Sequence, residues 1–479
     1  MLYQLSHVRL LPGLGPVGPA VLLVRTLAES QQTANRRWEE PVRRSLGGWA
    51  AVRTRDAPGR SEQTLTSASC PRVDNGGHRR DEGETDMGAG GGTGGHDGHR
   101  SWPRAREAAR LLGGGRPPAP RDLPLEEALG AVLAADVHAL AGLPAFDASA
   151  MDGFAVSGPG PWRLVGRQLA GAGGAPVCLR PGEAVEIATG ARVPKDTECV
   201  LPYERADVRD GAVDGPAEAG RHVRWAGEEI APGETVLTRG AVVGPAALGL
   251  AASLGHDTLS VLRPRVSVLV TGEEITTSGL PGDGSVRDAI GPALPAIVDR
   301  AGGRVESLRH LGDERRPLLD ALAGADGDVV AVCGSSSRGP ADHLRSALEE
   351  LGAEVAVDGV ACRPGHPQLL AHTGRSVFVG LPGNPGAALV AAATLLVPLL
   401  AAMTGRPDPG AGLGRAVLEG AVTAHPRDTR LVAVRLGGGR AHPVGHDRPG
   451  SLRGAALADA YAVVPPGWDG AEVELLRVP

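Results

Sequence analysis

Between residues 265 and 403 the apolar positions change period repeatedly. Arg265-Val-Ser-Val-Leu-Val270 is a continuous run rich in β-branched residues, the pattern of a strand buried on both faces. Helical spacing follows over about 288–301, interrupted early by Pro292 and Pro295. A strand is expected at 304–308, a helix at 313–322, a strand at 328–332, a helix at 341–351 stopped by Gly352, a strand at 376–379, and a long apolar helix at 385–403. The alternation predicts a three-layer α/β domain with a mostly parallel sheet.

The flanks have other textures. Residues 104–112 are helical in spacing, and Pro124-Leu125-Glu126-Glu127 opens a second helix with Pro and acids in its first turn. From 162 to 213, short apolar runs such as Ala184-Val-Glu-Ile-Ala188 are separated by Gly and Pro, and read as an all-β insert. Beyond Gly405, the segments 416–422, 430–436, 461–464 and 471–478 are short strands between turns, a small β domain. The expected division is 1–100 as a disordered or mis-called extension, 101–147 with 218–262 as a linker domain, 148–217 as the insert, 263–405 as the α/β domain and 406–479 as the terminal domain.

Composition narrows the classes. A chain of 479 residues exceeds one core and suggests about three domains. Lys195 is the sole lysine, so arginine supplies nearly all the positive charge, and a net charge of -6 argues against a nucleic-acid partner. Cys70, Cys178, Cys199, Cys333 and Cys362 form no CxxC pair, which suits a reducing cytoplasm better than a disulfide framework. Residues 1–26 are apolar in places but broken by Pro and Gly, so neither a signal peptide nor a membrane span is expected. Residues 27–100 lack periodicity and end in a Gly-rich tract at Met87, itself an alternative start; disorder is expected there.

Candidate chemistry concentrates in loops. Asp147 and Asp152 lie in one short segment of small residues, able to hold a cation, orient a water or simply turn the chain into the strand at Phe154. In a parallel sheet, ligands bind beyond the carboxyl ends of the strands. Three loops occupy that edge. Thr271-Gly272-Glu273-Glu274 offers paired acids, for metal or water or as a solvated turn. Gly334-Ser335-Ser336-Ser337-Arg338-Gly339, closed by Asp342, offers backbone amides to an anion or serves only the helix start. Pro382-Gly383-Asn384-Pro385 begins the long helix with an N-cap Asn and Pro at its first position. Upstream, Arg363-Pro-Gly-His366-Pro adds a cation and an imidazole.

In order and spacing these motifs resemble one family. Ser149-Ala-Met-Asp152-Gly-Phe-Ala-Val, Thr189-Gly-Ala-Arg-Val-Pro194, Gly227-Glu228-Glu229, Thr271-Gly-Glu-Glu274, the 334–342 loop, Arg363-Pro-Gly-His-Pro and Leu381-Pro-Gly-Asn-Pro385 are similar to the successive signatures of molybdopterin molybdenumtransferases, the MoeA proteins related to the catalytic domain of gephyrin. The likeness runs from about residue 104 to the C-terminus. It implies a cytoplasmic homodimer of four-domain subunits, with 101–147 and 218–262 in dimerisation and a barrel-like terminal domain. It also implies an α/β domain that binds adenylylated molybdopterin, and a magnesium-assisted reaction inserting molybdate with release of AMP. A molybdopterin adenylyltransferase is the implied upstream partner; neither nucleic acid nor membrane is.

Carried over residue by residue, the resemblance makes Asp152, Glu228, Glu273 and Asp342 catalytic, with Glu273 and Asp342 holding the metal. It makes Ser149, Thr271, Gly272, Asp288, Gly334, Ser335, Ser337, Gly339, Arg363, His366, Pro382, Gly383 and Asn384 substrate-binding. The Asp152 loop is expected to meet the α/β cleft of the other subunit. The chain departs from the family pattern at Ser335, at His366 in place of a lysine, at Ala289-Ile290 after Asp288, and at Glu273 in place of aspartate. An impaired molybdopterin- or molybdate-binding paralogue, a carrier or scaffold, is the alternative reading.

Overall fold

The computed structural model describes residues 99–171, 178–334, 339, 342–446, 448–470 and 472–479. Of the extension expected over 1–100, residues 1–98 lie outside the described residues, as do Ser335 and Ser337, while Arg100 belongs to a short strand.

The α/β domain is built on β1 (Arg265–Thr271), α1 (Leu294–Arg300), β2 (Arg304–Leu311), α2 (Arg315–Ala323), β3 (Val329–Cys333), α3 (Leu344–Glu350), β4 (Glu354–Asp358), β5 (Leu369–His372), β6 (Val377–Leu381) and the long helix α4 (Pro385–Met403). The sheet order is β2-β1-β3-β6-β5-β4, with β2, β1, β3 and β6 parallel and β5 antiparallel to both its neighbours. Strand alternation decides the layers. Val266, Val268 and Val270 of β1 face one core with α1 and α4, while Leu269, Val330 and Val332 face a second core with α2 and α3. The predicted three-layer architecture is therefore the observed one. The chain passes from β1 to β2 on one side and returns to β3 on the other, so the crevice opens beyond the carboxyl ends of β1 and β3.

Helix α4 is apolar enough to cross a membrane, but nearly all of its residues are buried inside the protein, which makes it a core helix. It contains a π segment at Ala392–Leu396 just before Pro398. Proline has no N–H and crowds the carbonyl four residues back, and a wide turn accommodates both. The freed carbonyl of Ala393 accepts from the guanidinium of Arg106, which also pairs with Asp408. Arg106 belongs to a helix at Trp102–Gly114 lying against α4, with Trp102 Nε1 donating to Thr394 Oγ1 at 3.1 Å. At Gly113 a Cβ would lie 2.3 Å from the carbonyl oxygen of Leu399, so glycine permits this close approach.

The insert is a six-stranded sheet spanning Gly153–Ser157 to Ala212–Asp214. The linker domain joins Arg121–Pro124, Val132–Leu133 and Thr258–Leu262 beside a helix at Pro245–Ser253. The terminal domain closes as a barrel, because Thr429–Gly437 pairs with both Arg440–Pro443 and Ala460–Val464. Its sheet also takes up Val360–Arg363 and, through it, Arg100–Ser101.

Some elements differ from the expectations. The helix expected at 124–130 is a single turn, Leu125–Ala128, because Arg121–Pro124 is drawn into strand pairing and Gly130 takes φ +79°. The helix expected from residue 288 begins at Leu294, since Asp288 holds a tight turn ahead of it. Strands β4 and β5 and the helix at Pro245–Ser253 were not expected from the pattern.

Candidate functional site

The loops after β1, β3 and β6 converge on a cleft of about 700 Å³. Its lining includes Thr271, Gly272, Asp288, Gly334, Asp342, Pro382, Gly383 and Asn384, which brings together eight of the sequence-predicted residues. Local chemistry explains the loop shapes. Thr271 is buried and its Oγ1 donates to the carbonyl of Cys333 at 3.2 Å, tying β1 to β3. Gly334 has φ +91°, and a Cβ there would lie 2.5 Å from Thr271 Oγ1. Gly334 Cα stands 3.8 Å from where a Cβ of Gly383 would sit, so two glycines leave the backbone open at the cleft floor. Gly339 donates its N–H to Asp342 Oδ2 at 2.6 Å.

Of the paired acids, Glu274 lines the cleft, while the Glu273 side chain lies toward Gly312, where a Cβ would sit 3.7 Å from Glu273 Oε1. Sequence reasoning singled out Glu273; a loop one residue long in either direction reverses which carboxylate faces inward, and no local signal fixes it. Asp313 and Arg287 also line the cleft without having been singled out. Asp288 faces it too, but its carboxylate is turned toward its own loop. At α4, Ala387 donates its N–H to Pro449 O at 3.1 Å, so a strand-linking loop of the terminal domain already satisfies part of the helix start.

A second cleft of about 610 Å³ adjoins the first, sharing Pro367, Pro382 and Asn384 in its lining. It contains Arg363 and His366 together with His425, Arg430 and Arg448 from the terminal domain, none of which the sequence reading selected. Arg363 Nε donates to Asp428 Oδ2 at 2.7 Å, and the His366 ring meets His99 edge to face at 4.1 Å. Cys362 is buried at this cleft, and burial, then nearby Asp428, pushes its thiol well up. Burial, then Asp288, does the same to Cys333 under the first cleft. The joined furrow thus has an acidic half with Glu274, Asp313 and Asp342, and a basic half with Arg363, Arg430 and Arg448.

Asp152 and Glu228 do not line this furrow. Both are exposed, and the loops that carry them are brought together by the pairing of Val223–Arg224 with Ala148–Ser149. Asp152 Oδ1 accepts from Thr189 N–H at 2.7 Å, Asp147 Oδ1 from Ala226 N–H at 2.9 Å, and Glu228 Oε2 from Trp225 N–H at 2.9 Å. Ser149 is fully buried and its hydroxyl donates to Met151 O at 2.6 Å, so it braces the loop rather than presenting a group to a ligand. Gly153 is required, because a Cβ would lie 2.1 Å from Leu201 O.

Among the described residues, no three His, Cys, Asp or Glu side chains cluster as a ready metal cage. Magnesium rarely needs one: one or two carboxylates, waters and a substrate phosphate suffice. Glu274, Asp313 and Asp342 along the cleft meet that donor chemistry.

Comparison with known proteins agrees with this layout. Residues 101–255 match the MoeA N-terminal region (domain I and II), 267–402 a probable molybdopterin binding domain, and 415–476 the MoeA C-terminal region (domain IV). Molybdopterin molybdenumtransferase 2 of Mycobacterium tuberculosis is 38% identical over 332 residues, which is 65% of this chain and 82% of that protein. The molybdopterin molybdenumtransferase of Staphylococcus aureus is 27% identical over 365 residues, 72% of this chain and 87% of that protein. The crystal structure of a molybdopterin biosynthesis MoeA protein from Pyrococcus horikosii superposes with a TM-score of 0.61 at 28% identity, covering 80% of this chain and 99% of that one. With its motifs, domain order and fold all in agreement, the chain belongs to the molybdopterin molybdenumtransferase (MoeA) family.

Proposed function

We propose that this protein is a transferase of molybdenum cofactor biosynthesis that inserts molybdate into adenylylated molybdopterin and releases AMP. The observation that carries the reading is the two-signed furrow. Its acidic half would suit a divalent cation that offsets phosphate charge, and its basic half suits a tetrahedral oxyanion. A bound magnesium ion would be held by Asp342 with the Thr271–Glu274 loop, and would supply charge neutralisation to the phosphoanhydride. The chain's own groups do the rest. Gly334 and Gly383 let the pterin and phosphate approach backbone, and Arg363, held toward the cleft by Asp428, attracts molybdate with His366 beside it.

Asp152 and Glu228 are exposed carboxylates, each held by a backbone N–H, and are suited to meeting the furrow of a second copy in a homodimer. A cytoplasmic setting is consistent with Cys178, Cys199, Cys333 and Cys362, which are free thiols among the described residues. Single-turnover incubation with adenylylated molybdopterin, molybdate and magnesium tests the proposal. AMP release with molybdenum retained on the pterin is the expected outcome; tight pterin binding without AMP release would leave only a carrier.

A further inference from the structure

Of the acids that line the cleft, Glu274, Asp288, Asp313 and Asp342, only Asp288 is buried, and its carboxylate is used inward. Its Oδ1 accepts from Ile290 N–H at 3.0 Å and from Gly291 N–H at 2.8 Å, and its Oδ2 lies 2.8 Å from His310 Nε2. The Asp288 side chain is 6% exposed, so protein donors rather than bulk water hold the carboxylate. A side chain at residue 291 would displace this carboxylate, since a Cβ on Gly291 would lie 2.1 Å from Asp288 Oδ2. The turn is thus wound onto one carboxylate. Val286, Arg287, Asp288, Ala289 and Ile290 all line the cleft, so this turn is one of its walls. Ala289 and Ile290 have no polar side-chain atoms, so at those two positions the wall offers a ligand only its backbone, and the backbone path sets what is offered.

His310 comes from β2, in register with Val270 of β1, and is not among the residues lining the cleft. Because the carboxylate already accepts two backbone N–H groups, it acts as the acceptor, and His310 donates through Nε2–H. The bond therefore joins the wall to the sheet. We propose that His310 is a positioning residue for molybdopterin: by donating to Asp288 it fixes the 286–291 wall, and it acts on binding through that wall without touching the ligand. The inference rests on the reading of the cleft as the molybdopterin site. Removing the donor leaves a buried carboxylate oxygen unpaired, which the turn can relieve only by opening toward water.

Hydrogen exchange of the full chain, read on peptides covering 286–294, reports the wall; equilibrium binding of molybdopterin reports the consequence. His310→Phe keeps a flat ring without the donor, and should raise exchange in that peptide and weaken binding about tenfold, roughly the loss of one charge-assisted hydrogen bond. Under turnover KM should rise while kcat at saturation changes much less. His310→Gln, whose Nε2 amide reaches the same place, should restore exchange and affinity; a purely packing role predicts no such rescue. If His310→Phe does not fold, His310→Ala is read in the same way. Unchanged exchange in either donor-less variant, or weakened binding that His310→Gln fails to restore, overturns the proposal. Raised exchange with no molybdopterin binding by the parent protein instead overturns the ligand assignment on which it rests.

Discussion

Gly334→Ala is the sharpest test of the cleft floor. The new methyl would sit 2.5 Å from Thr271 Oγ1 and 2.9 Å from the Thr271 carbonyl oxygen, at φ +91°. An L-residue at such a backbone angle costs ~1–2 kcal/mol. The overlap adds ~1–3 kcal/mol of the kind seen in overpacked sites. Thr271 can swing its hydroxyl away only by giving up its bond to Cys333 O, worth about 1 kcal/mol, and its carbonyl cannot move without distorting β1. A loop that must regain its shape to bind should therefore lose at least ~2 kcal/mol of affinity, about 30-fold. Molybdopterin binding and urea unfolding would be compared with Gly352→Ala, where φ is +66° but nothing lies within 4 Å. That control isolates the backbone term. Thr271→Ala in the Gly334→Ala background should recover part of the loss, because it removes the hydroxyl contact and leaves the carbonyl one. Gly334→Ala binding like the parent, or costing no more than Gly352→Ala, would refute the argument.

Other outcomes are expected from the same structure. Asp408→Asn leaves the buried Arg106 guanidinium without its carboxylate and should cost ~3–5 kcal/mol in urea denaturation; Arg106→Met should cost less, because Asp408 keeps Arg110 and the Gly410 N–H, and the double variant should cost less than the sum. Asp152→Ala and Glu228→Ala should abolish AMP release in single turnover while lowering the thermal midpoint only slightly, since each exposed carboxylate gives up one surface hydrogen bond to a backbone N–H. Arg363→Ala should raise the molybdate requirement more than it lowers saturated turnover, measured by titrating molybdate at fixed pterin. Burial raises the thiol pKa of Cys199, Cys333 and Cys362, so at pH 8 they stay neutral thiols and should resist alkylation until urea unfolds the chain, while exposed Cys178 reacts; peptide mapping decides it.

Much of the design is local and so legible along the chain. The β-branched run at 265–270, the Asn384-Pro385 helix start and the Gly334 loop each carry their reason within a few residues, and their order was enough to indicate the family. What escaped depends on partners far away. Strands β4 and β5 are short and irregular in pattern, and exist because β6 offers an edge to pair with. The single turn at Leu125–Ala128 gives way to strand pairing with Thr258–Leu262. Whether Glu273 or Glu274 faces the cleft turns on the path of one loop, and Asp288 is drawn inward by His310, a residue of the neighbouring strand. Arg430 and Arg448 join Arg363 only because the barrel packs against the start of α4. The sequence by itself determined the strand and helix alternation of the α/β region and the loops that could carry chemistry, because hydrophobic period and turn residues act over a few positions. Only the tertiary structure decided which charges share the furrow, because that depends on contacts between segments distant in sequence.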